Sequence, residues 1–250
     1  MDKLFSMVEI EINSECNRKC WYCPNSKYSR KHNGEMSIDM FKELMYQLKC
    51  IQFKGRISYH FYNEPLICSN LDIFIKISKQ YLPTSRQVLY TNGDFLDEER
   101  FKHLIDIGID YFVVTQHVGK TSKFTNIVST LPNDLLSKVK YIDNTELNLT
   151  NRGGIIEQVG LNNYENVKCC IPKSLIVVTA TGNVIPCFED YNEELIMGNI
   201  TQNNIIDIWE TEKYTEFRKN INNGQRFKYT TCSKCNNYSI KDDIQFDYIL

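Results

Sequence analysis

The sequence predicts an α/β protein: a partial parallel βα barrel followed by a small β-hairpin and helix module. Three observations carry this. Short apolar or alternating runs recur between amphipathic segments up to about residue 150, the rhythm of parallel βα units. That rhythm changes near residue 165, where a hairpin signal and a cysteine-bearing tail replace it. Ten cysteines among 250 residues fall mainly into two groups, one in each part.

The elements follow in order. Met7 to Ile12 alternates apolar and polar residues, a strand pattern. Ile38, Phe41, Leu44, Met45 and Leu48 share one helical face, with Ser37 placed to cap that helix and Asp39 in its first turn. A second strand, about Arg56 to Tyr62, precedes Asn63-Glu64-Pro65. Asn70 starts a helix carrying Leu71, Phe74, Ile75 and Ile77. A third strand, about Gln87 to Thr91, ends at the turn Asn92-Gly93. Asp97 opens a helix with Glu98 and Glu99 at its positive end. A fourth strand, Tyr111 to Gln116, follows Gly108. Residues 121–145 suggest one helix and a loop, and a further strand is expected at Leu147 to Leu149, ahead of Arg152-Gly153-Gly154. Ser174 to Thr179, the turn Thr181-Gly182-Asn183 and Val184-Ile185 read as a β-hairpin. One helix is expected over Ile205 to Asn220, with Ile205, Ile208, Trp209 and Phe217 for packing. The division is therefore 1–165 and 166–250.

Composition narrows the function. The formal net charge is −2 and no basic block stands out, which argues against nucleic acid or a polybasic membrane contact. Met1-Asp2-Lys3-Leu4-Phe5 lacks a signal pattern, and no apolar run approaches a membrane span. A cytoplasmic protein is expected. In a reducing compartment, clustered cysteines read as metal or catalytic ligands rather than disulfides. Cys50 and Cys68 stand apart and read as ordinary thiols. His32, His60, His103 and His117 form no ligand-spaced pair and read as non-catalytic.

Cys16-x3-Cys20-x2-Cys23 follows the first strand, at the barrel mouth where catalytic groups gather. Iron–sulfur clusters are held by thiolates, commonly four. Three ligands leave one iron open, which can chelate the amino and carboxylate groups of S-adenosylmethionine (SAM). Zinc and free thiols are the alternatives; zinc ligands more often come as CxxC pairs. Cys169, Cys187, Cys232 and Cys235 make a second, four-ligand set, with Cys170 competing for the first place. Adjacent side chains of an extended segment point to opposite faces, so both cannot serve one metal. Structural zinc remains an alternative here too.

The triad with Tyr22 between its ligands, and Asn63-Glu64-Pro65 after the second strand, resemble the radical SAM superfamily, whose Gly-Glu-Pro motif helps hold the SAM amino group. Asn stands here where Gly is usual, and Asn tolerates left-handed backbone better than most residues. The second set with its hairpin resembles the twitch domain, a shortened SPASM module carrying one auxiliary [4Fe–4S] cluster. Longer blocks sharpen this: Cys20-Trp21-Tyr22-Cys23-Pro24-Asn25-Ser26, Arg56 to Tyr62, Tyr90 to Phe95, Asn151 to Gly154, and Pro186-Cys187-Phe188-Glu189-Asp190. Over nearly its whole length the chain resembles the twitch-containing radical SAM dehydrogenases of butirosin-type aminoglycoside biosynthesis.

The resemblance implies a TIM-like partial barrel, two [4Fe–4S] clusters, and SAM as co-substrate. It implies hydrogen abstraction from C3 of an aminocyclitol, 2-deoxy-scyllo-inosamine, to give the ketone, and an electron donor such as flavodoxin or ferredoxin. It favours Cys169 over Cys170. It points to Tyr22, Asn63, Glu64, Asn92 and Gln116 for SAM. It points to Arg152 as substrate binder and candidate proton acceptor, with water as the other acceptor. Glu9, Tyr62, Tyr90, Phe188 and Glu189 join it around the substrate. A radical SAM enzyme acting on a peptide side chain is the other reading, although a first ligand at residue 16 leaves no room before it for a peptide-recognition domain.

The chemistry supports a second cluster. Oxidising an alcohol to a ketone removes two electrons and two protons. A carbon-centred radical step accounts for one hydrogen atom, and the ketyl left behind must lose a proton and an electron. Zinc has no accessible redox step and cannot take that electron.

Overall fold

A computed structural model describes residues 4–30, 32–160 and 164–240. The reading of the N-terminal Met1-Asp2-Lys3 lies outside the described residues.

The chain starts with β1 (Met7–Ile10), followed by the first cysteine loop and α1 (Ile38–Cys50). The Ser37 hydroxyl accepts from the Met40 amide at 3.1 Å, and Phe41, Leu44, Met45 and Leu48 turn inward. Next come β2 (Arg56–Ser58), α2 (Leu71–Tyr81), β3 (Arg86–Thr91), α3 (Glu98–Ile107) and β4 (Tyr111–Thr115). Asp97 caps α3 by accepting from the Arg100 amide.

Residues 121–145 hold more than one helix and a loop. They carry α4 (Lys123–Ile127), α5 (Asn133–Leu136) and the strand β5 (Val139–Ile142). The strand expected at Leu147 to Leu149 is therefore displaced; those residues are irregular. β5 pairs with β4 on one side only and all four of its residues are half-buried, so its apolar signal is weak.

The hairpin forms as β6 (Leu175–Val178) and β7 (Asn183–Ile185), with a short β8 (Gly198–Asn199). The expected helix over 205–220 is broken into α6 (Ile205–Glu210) and α7 (Glu212–Asn222). Thr211 causes the break: its backbone leaves the helical region and its hydroxyl caps α7 by accepting from the Tyr214 amide. Finally α8 (Thr230–Lys234) carries Cys232.

All eight strands form one open sheet in the order β5-β4-β3-β2-β1-β6-β7-β8. The first six are parallel, and β6 lies beside β1, so the sheet runs through residue 165 without a break. The apolar residues of one face meet the helices in the main core, where Val8, Ile10, Ile57, Leu89 and Phe112 are fully buried. The other face is different. Met7 pairs with Arg56 and Glu9 with Ser58, and alternation puts Glu9, Arg56, Ser58 and His60 on that second face. Val88 and Val113 form a small apolar floor beside them, packed by Tyr90, Tyr111 and Ile142. Among the described residues no helix is long and apolar enough to cross a membrane.

Candidate active site between two cysteine sets

The first cysteine loop leaves β1 and is pinned from outside. Arg18 clasps Asp94 with two hydrogen bonds of 2.9 and 2.7 Å and also donates to the carbonyls of His117 and Lys120. Burial works to raise the Asp94 carboxyl, but Arg18 and Asn17 hold it below its usual range. Cys16, Cys20 and Cys23 are half-buried, and Cys16 feels the charge of Cys20 and Cys23, as Cys23 feels that of Cys20. The Arg18 amide donates to Cys16 Sγ at 3.5 Å. A cavity of about 250 Å³ opens beside Cys20, lined by Asn17, Arg18, Lys19, Asp94, Val118 and Lys120.

The residues expected around SAM gather at the same edge, mostly as a scaffold. Asn92 donates to Asn17 at 2.9 Å and reaches Cys16 Sγ at 4.0 Å. Glu64 is buried and receives the Thr91 hydroxyl, the Asn92 amide and the Leu66 amide, tying the second loop to the end of β3. Burial pushes its carboxyl up to about 7 against those donors. Asn63 is not in left-handed backbone, contrary to the tolerance argument for Asn at this position. Its side chain instead closes a turn on the Phe61 amide at 2.7 Å and donates to Asn13 at 2.6 Å. Tyr22 bonds His117 Nδ1 at 2.7 Å. Gln116 spends its amide on the loop beyond it, to the carbonyls of His117 and Lys120, and accepts from Ser122 and Thr125.

The second cysteine set is drawn together from distant segments. Cys187 feels Cys169 and Cys235, and Cys232 feels Cys235 and Cys169. Cys170 turns away toward Asn222 at 3.7 Å, so of the adjacent pair it is Cys169 that joins the set. Amides donate to two of these sulfurs, Glu189 to Cys187 at 3.5 Å and Asn237 to Cys235 at 3.3 Å. Burial pushes Cys16 up to about 11, Cys235 up to about 12, and Cys187 well up. Buried and half-buried thiols in two groups, with amides aimed at their sulfurs, fit iron–sulfur clusters: a coordinating thiol is deprotonated outright, and N–H···S bonds are part of cluster tuning. Among the described residues no three Cys, His, Asp or Glu side chains converge tightly enough for a single metal ion.

Between the two sets lies Arg152. Its backbone is left-handed (φ 50°), a strained state for a residue with a Cβ, of the kind that clusters at functional sites. The strain is over-determined by its neighbours. At Gly153 (φ 63°) a Cβ would stand 2.6 Å from Thr231 Cγ2 and 2.8 Å from the Glu189 carbonyl. Asn151 is wholly buried, donates to the Lys234 carbonyl at 2.8 Å and exchanges two hydrogen bonds with Asn236. The loop is thereby clamped to the cysteine tail. The Arg152 guanidinium lies 5.7 Å from the Tyr62 ring centre and 3.8 Å from Glu189 Oε1. Tyr62 donates to the Phe188 carbonyl at 2.8 Å.

The inner sheet face faces the same space. Glu9 Oε1 pairs with Arg56 at 3.2 Å, and Arg56 donates to Tyr90 at 2.9 Å. His60 stacks on Tyr90 with ring centres 4.0 Å apart. Four buried polar atoms here have no partner among the described residues: Glu9 Oε2, Ser58 Oγ, His60 Nδ1 and Glu189 Oε2. Burial pushes Glu9 up to about 7, although Arg56 and Arg152 oppose it. Burial also lowers His60 to about 3, helped by Arg56 and Arg152, so its imidazole is neutral. Sequence reasoning did not single out Arg56 or Ser58, and read His60 as non-catalytic. Their alternation with apolar Ile57 and Tyr59 was the available signal, since every second residue of a buried parallel strand was polar.

Comparison with known proteins follows this geometry. The radical SAM superfamily model matches residues 10–130, and the SPASM iron–sulfur cluster-binding domain matches 169–236. The S-adenosyl-L-methionine-dependent 2-deoxy-scyllo-inosamine dehydrogenase of Niallia circulans is 49% identical over 250 residues, covering 100% of both chains. The chain belongs to this radical SAM dehydrogenase family. A solved structure of BtrN in complex with AdoMet and 2-DOIA matches with a TM-score of 0.95 at 49% identity, covering 100% of both chains. BtrN in an open conformation matches less well, at 0.79 and 44% identity over 100% of both. The fold described here thus resembles the solved structure with AdoMet and 2-DOIA more closely than the open one. AdoMet-bound anSMEcpe, at 14% identity and a TM-score of 0.60, covering 96% of this chain and 88% of its own, shares the fold.

Proposed function

We propose that this chain oxidises the C3 hydroxyl of 2-deoxy-scyllo-inosamine to the ketone, amino-deoxyinosose, in the 2-deoxystreptamine branch of aminoglycoside antibiotic biosynthesis. The observation that carries the proposal is the set of unpartnered buried polar atoms enclosed between two cysteine sets. An unpaired buried polar group is costly, and a small polyhydroxylated ammonium ion satisfies such groups. Cys16, Cys20 and Cys23 would hold the first [4Fe–4S] cluster, and Cys169, Cys187, Cys232 and Cys235 the second. When bound, the first supplies the electron that cleaves SAM to methionine and the 5′-deoxyadenosyl radical, and the second takes up the electron that the ketyl gives up.

The chain's own residues do the rest. Glu9 receives the substrate ammonium on its free Oε2. Ser58 and His60 meet hydroxyls, His60 as a neutral acceptor. Tyr62 and Tyr90 wall the ring, and Phe188 and Glu189 cover it from the cysteine side. Arg152 binds the C3 oxygen. It is not the proton acceptor: although burial works to lower its pKa, Tyr62, Glu189 and Cys23 hold it above an already high value. A charged guanidinium acidifies the ketyl hydroxyl, and the free Oε2 of Glu189 beside it takes the proton. In this reading the acceptor role considered for Arg152 passes to Glu189. A flavodoxin or ferredoxin feeds the first cluster, and cysteines that form no disulfide among the described residues suit the cytoplasm.

Anaerobic incubation with SAM, reductant and 2-deoxy-scyllo-inosamine tests the proposal by scoring 5′-deoxyadenosine against ketone. Matched formation of both is expected. Cleavage of SAM without ketone leaves the radical chemistry standing and removes this substrate.

A further inference from the structure

Among the described residues, one of the largest fully buried side chains is a cation in the C-terminal module. Arg226 is 2% exposed. Its Nε donates to the Cys232 carbonyl at 3.1 Å, and its Nη2 to the carbonyls of Cys235 and Asn237 at 2.6 and 3.1 Å. All three carbonyls belong to the stretch 232–237, the end of α8 and the residues after it, which carries two thiols of the second set. Nη1 is buried and has no partner, and none of the ion pairs among the described residues includes Arg226. Carbonyl dipoles solvate a guanidinium but do not neutralise it. A buried charge without a counter-charge is strongly unfavourable, so the fold implies a buried anion close by. Four thiolates around an iron–sulfur core carry net negative charge, and that group is the one the adjoining loop is built to hold.

We propose that Arg226 is a positioning residue of the auxiliary cluster and the fixed positive charge that raises its reduction potential, which makes it an acceptor for the ketyl's electron. The inference rests on the two-cluster reading above. Net charge, hydrogen bonding around the sulfurs and burial set cluster potentials. Arg226 acts on the first of these through its charge. It also fixes the loop geometry on which the amide-to-sulfur bond at Cys235 depends. The electron count balances: the ketyl loses one proton to Glu189 and one electron to the oxidised cluster, and the ketone forms.

The test is an EPR-monitored redox titration of the anaerobically reconstituted full chain, with SAM present and absent to separate the two clusters' signals. The variants are Arg226→Gln and Arg226→Lys. In Arg226→Gln the reduced fraction of the auxiliary cluster at fixed potential should fall at least tenfold, a midpoint lower by about 59 mV for one electron. The first cluster should be unchanged, and Arg226→Lys should keep the parent midpoint. An Arg226→Gln chain with about eight irons and the parent midpoint overturns the proposal, as does a Lys midpoint that falls as far as that of Gln. If Arg226→Gln retains only about four irons, loading decides. A Lys chain with the full complement supports the need for charge, and a Lys chain equally depleted shows that the fork alone mattered and overturns it. A parent chain with only about four irons defeats the two-cluster reading itself, a result distinct from any change of potential.

Discussion

Cys16, Cys20 and Cys23 come from one short loop, whereas Cys169, Cys187, Cys232 and Cys235 come from three separated segments. The first set is half-buried beside an open cavity, pinned chiefly by Arg18 on Asp94 and on the carbonyls of His117 and Lys120. The second is gathered by α8, the β7 end and a buried arginine, and is locked to the Arg152 loop through Asn151 and Asn236. The difference matches what each must do. A site that exchanges a co-substrate at every turnover needs access and an open iron position. A site that only accepts an electron needs full ligation, burial and a fixed field.

Removing one ligand from each set gives the largest effects and sharpens the contrast. Cys20→Ala should lower SAM cleavage to the level of the iron-free chain, because no other thiol lies in that loop to replace it. Cys187→Ala should keep SAM cleavage but lose ketone, leaving 5′-deoxyadenosine without matching product. Product analysis under anaerobic conditions measures both. Ketone formed by Cys187→Ala at the parent rate would remove the electron-acceptor role from the second set.

Next in size is the lock between the regions. Asn151→Ala deletes the side-chain donor to the Lys234 carbonyl and the side-chain acceptor of the Asn236 amide, while its backbone bond to Asn236 remains. Leaving those buried groups unpaired should cost about 1–3 kcal/mol each at most, seen as a lower melting temperature. The kinetic signature is more specific: kcat for ketone should fall while SAM cleavage without substrate stays at the parent rate. Equal loss of both would mean that Asn151 supports the whole fold rather than this junction.

The same contrast explains what could be read in advance. The triad is a local pattern, so spacing alone revealed it. Parallel strands buried on both faces announce themselves as apolar runs, as at Leu175–Val178. β5 was missed because an edge strand with half-buried residues need not be apolar, and Thr211 was missed because one capping hydroxyl is enough to split a helix. Arg226 could not be read at all. An arginine bound to three carbonyls leaves no trace in spacing or periodicity, since its partners are backbone atoms of whichever residues the fold brings near.

The smallest expected effect concerns Glu9, at the far wall of the space between the two sets. Its carboxyl is pushed up to about 7 by burial, with Arg56 and Arg152 opposing. In the unfolded chain it would titrate at its ordinary, lower value. Between those two values the folded chain without substrate holds a proton that the unfolded chain releases. Stability from this group is therefore present below the unfolded value and declines as pH rises toward 7. Substrate binding has the opposite sign, because a substrate ammonium requires the carboxylate. KM for the aminocyclitol at saturating SAM should thus rise as pH falls below about 7, approaching tenfold per unit, while kcat changes little. Glu9→Gln should flatten that profile and hold KM high throughout. A parent KM that does not vary between pH 6 and pH 8, roughly one unit either side of the Glu9 value, would show that the ammonium is received elsewhere, and the unpartnered oxygen of Glu189 would then be the group to titrate.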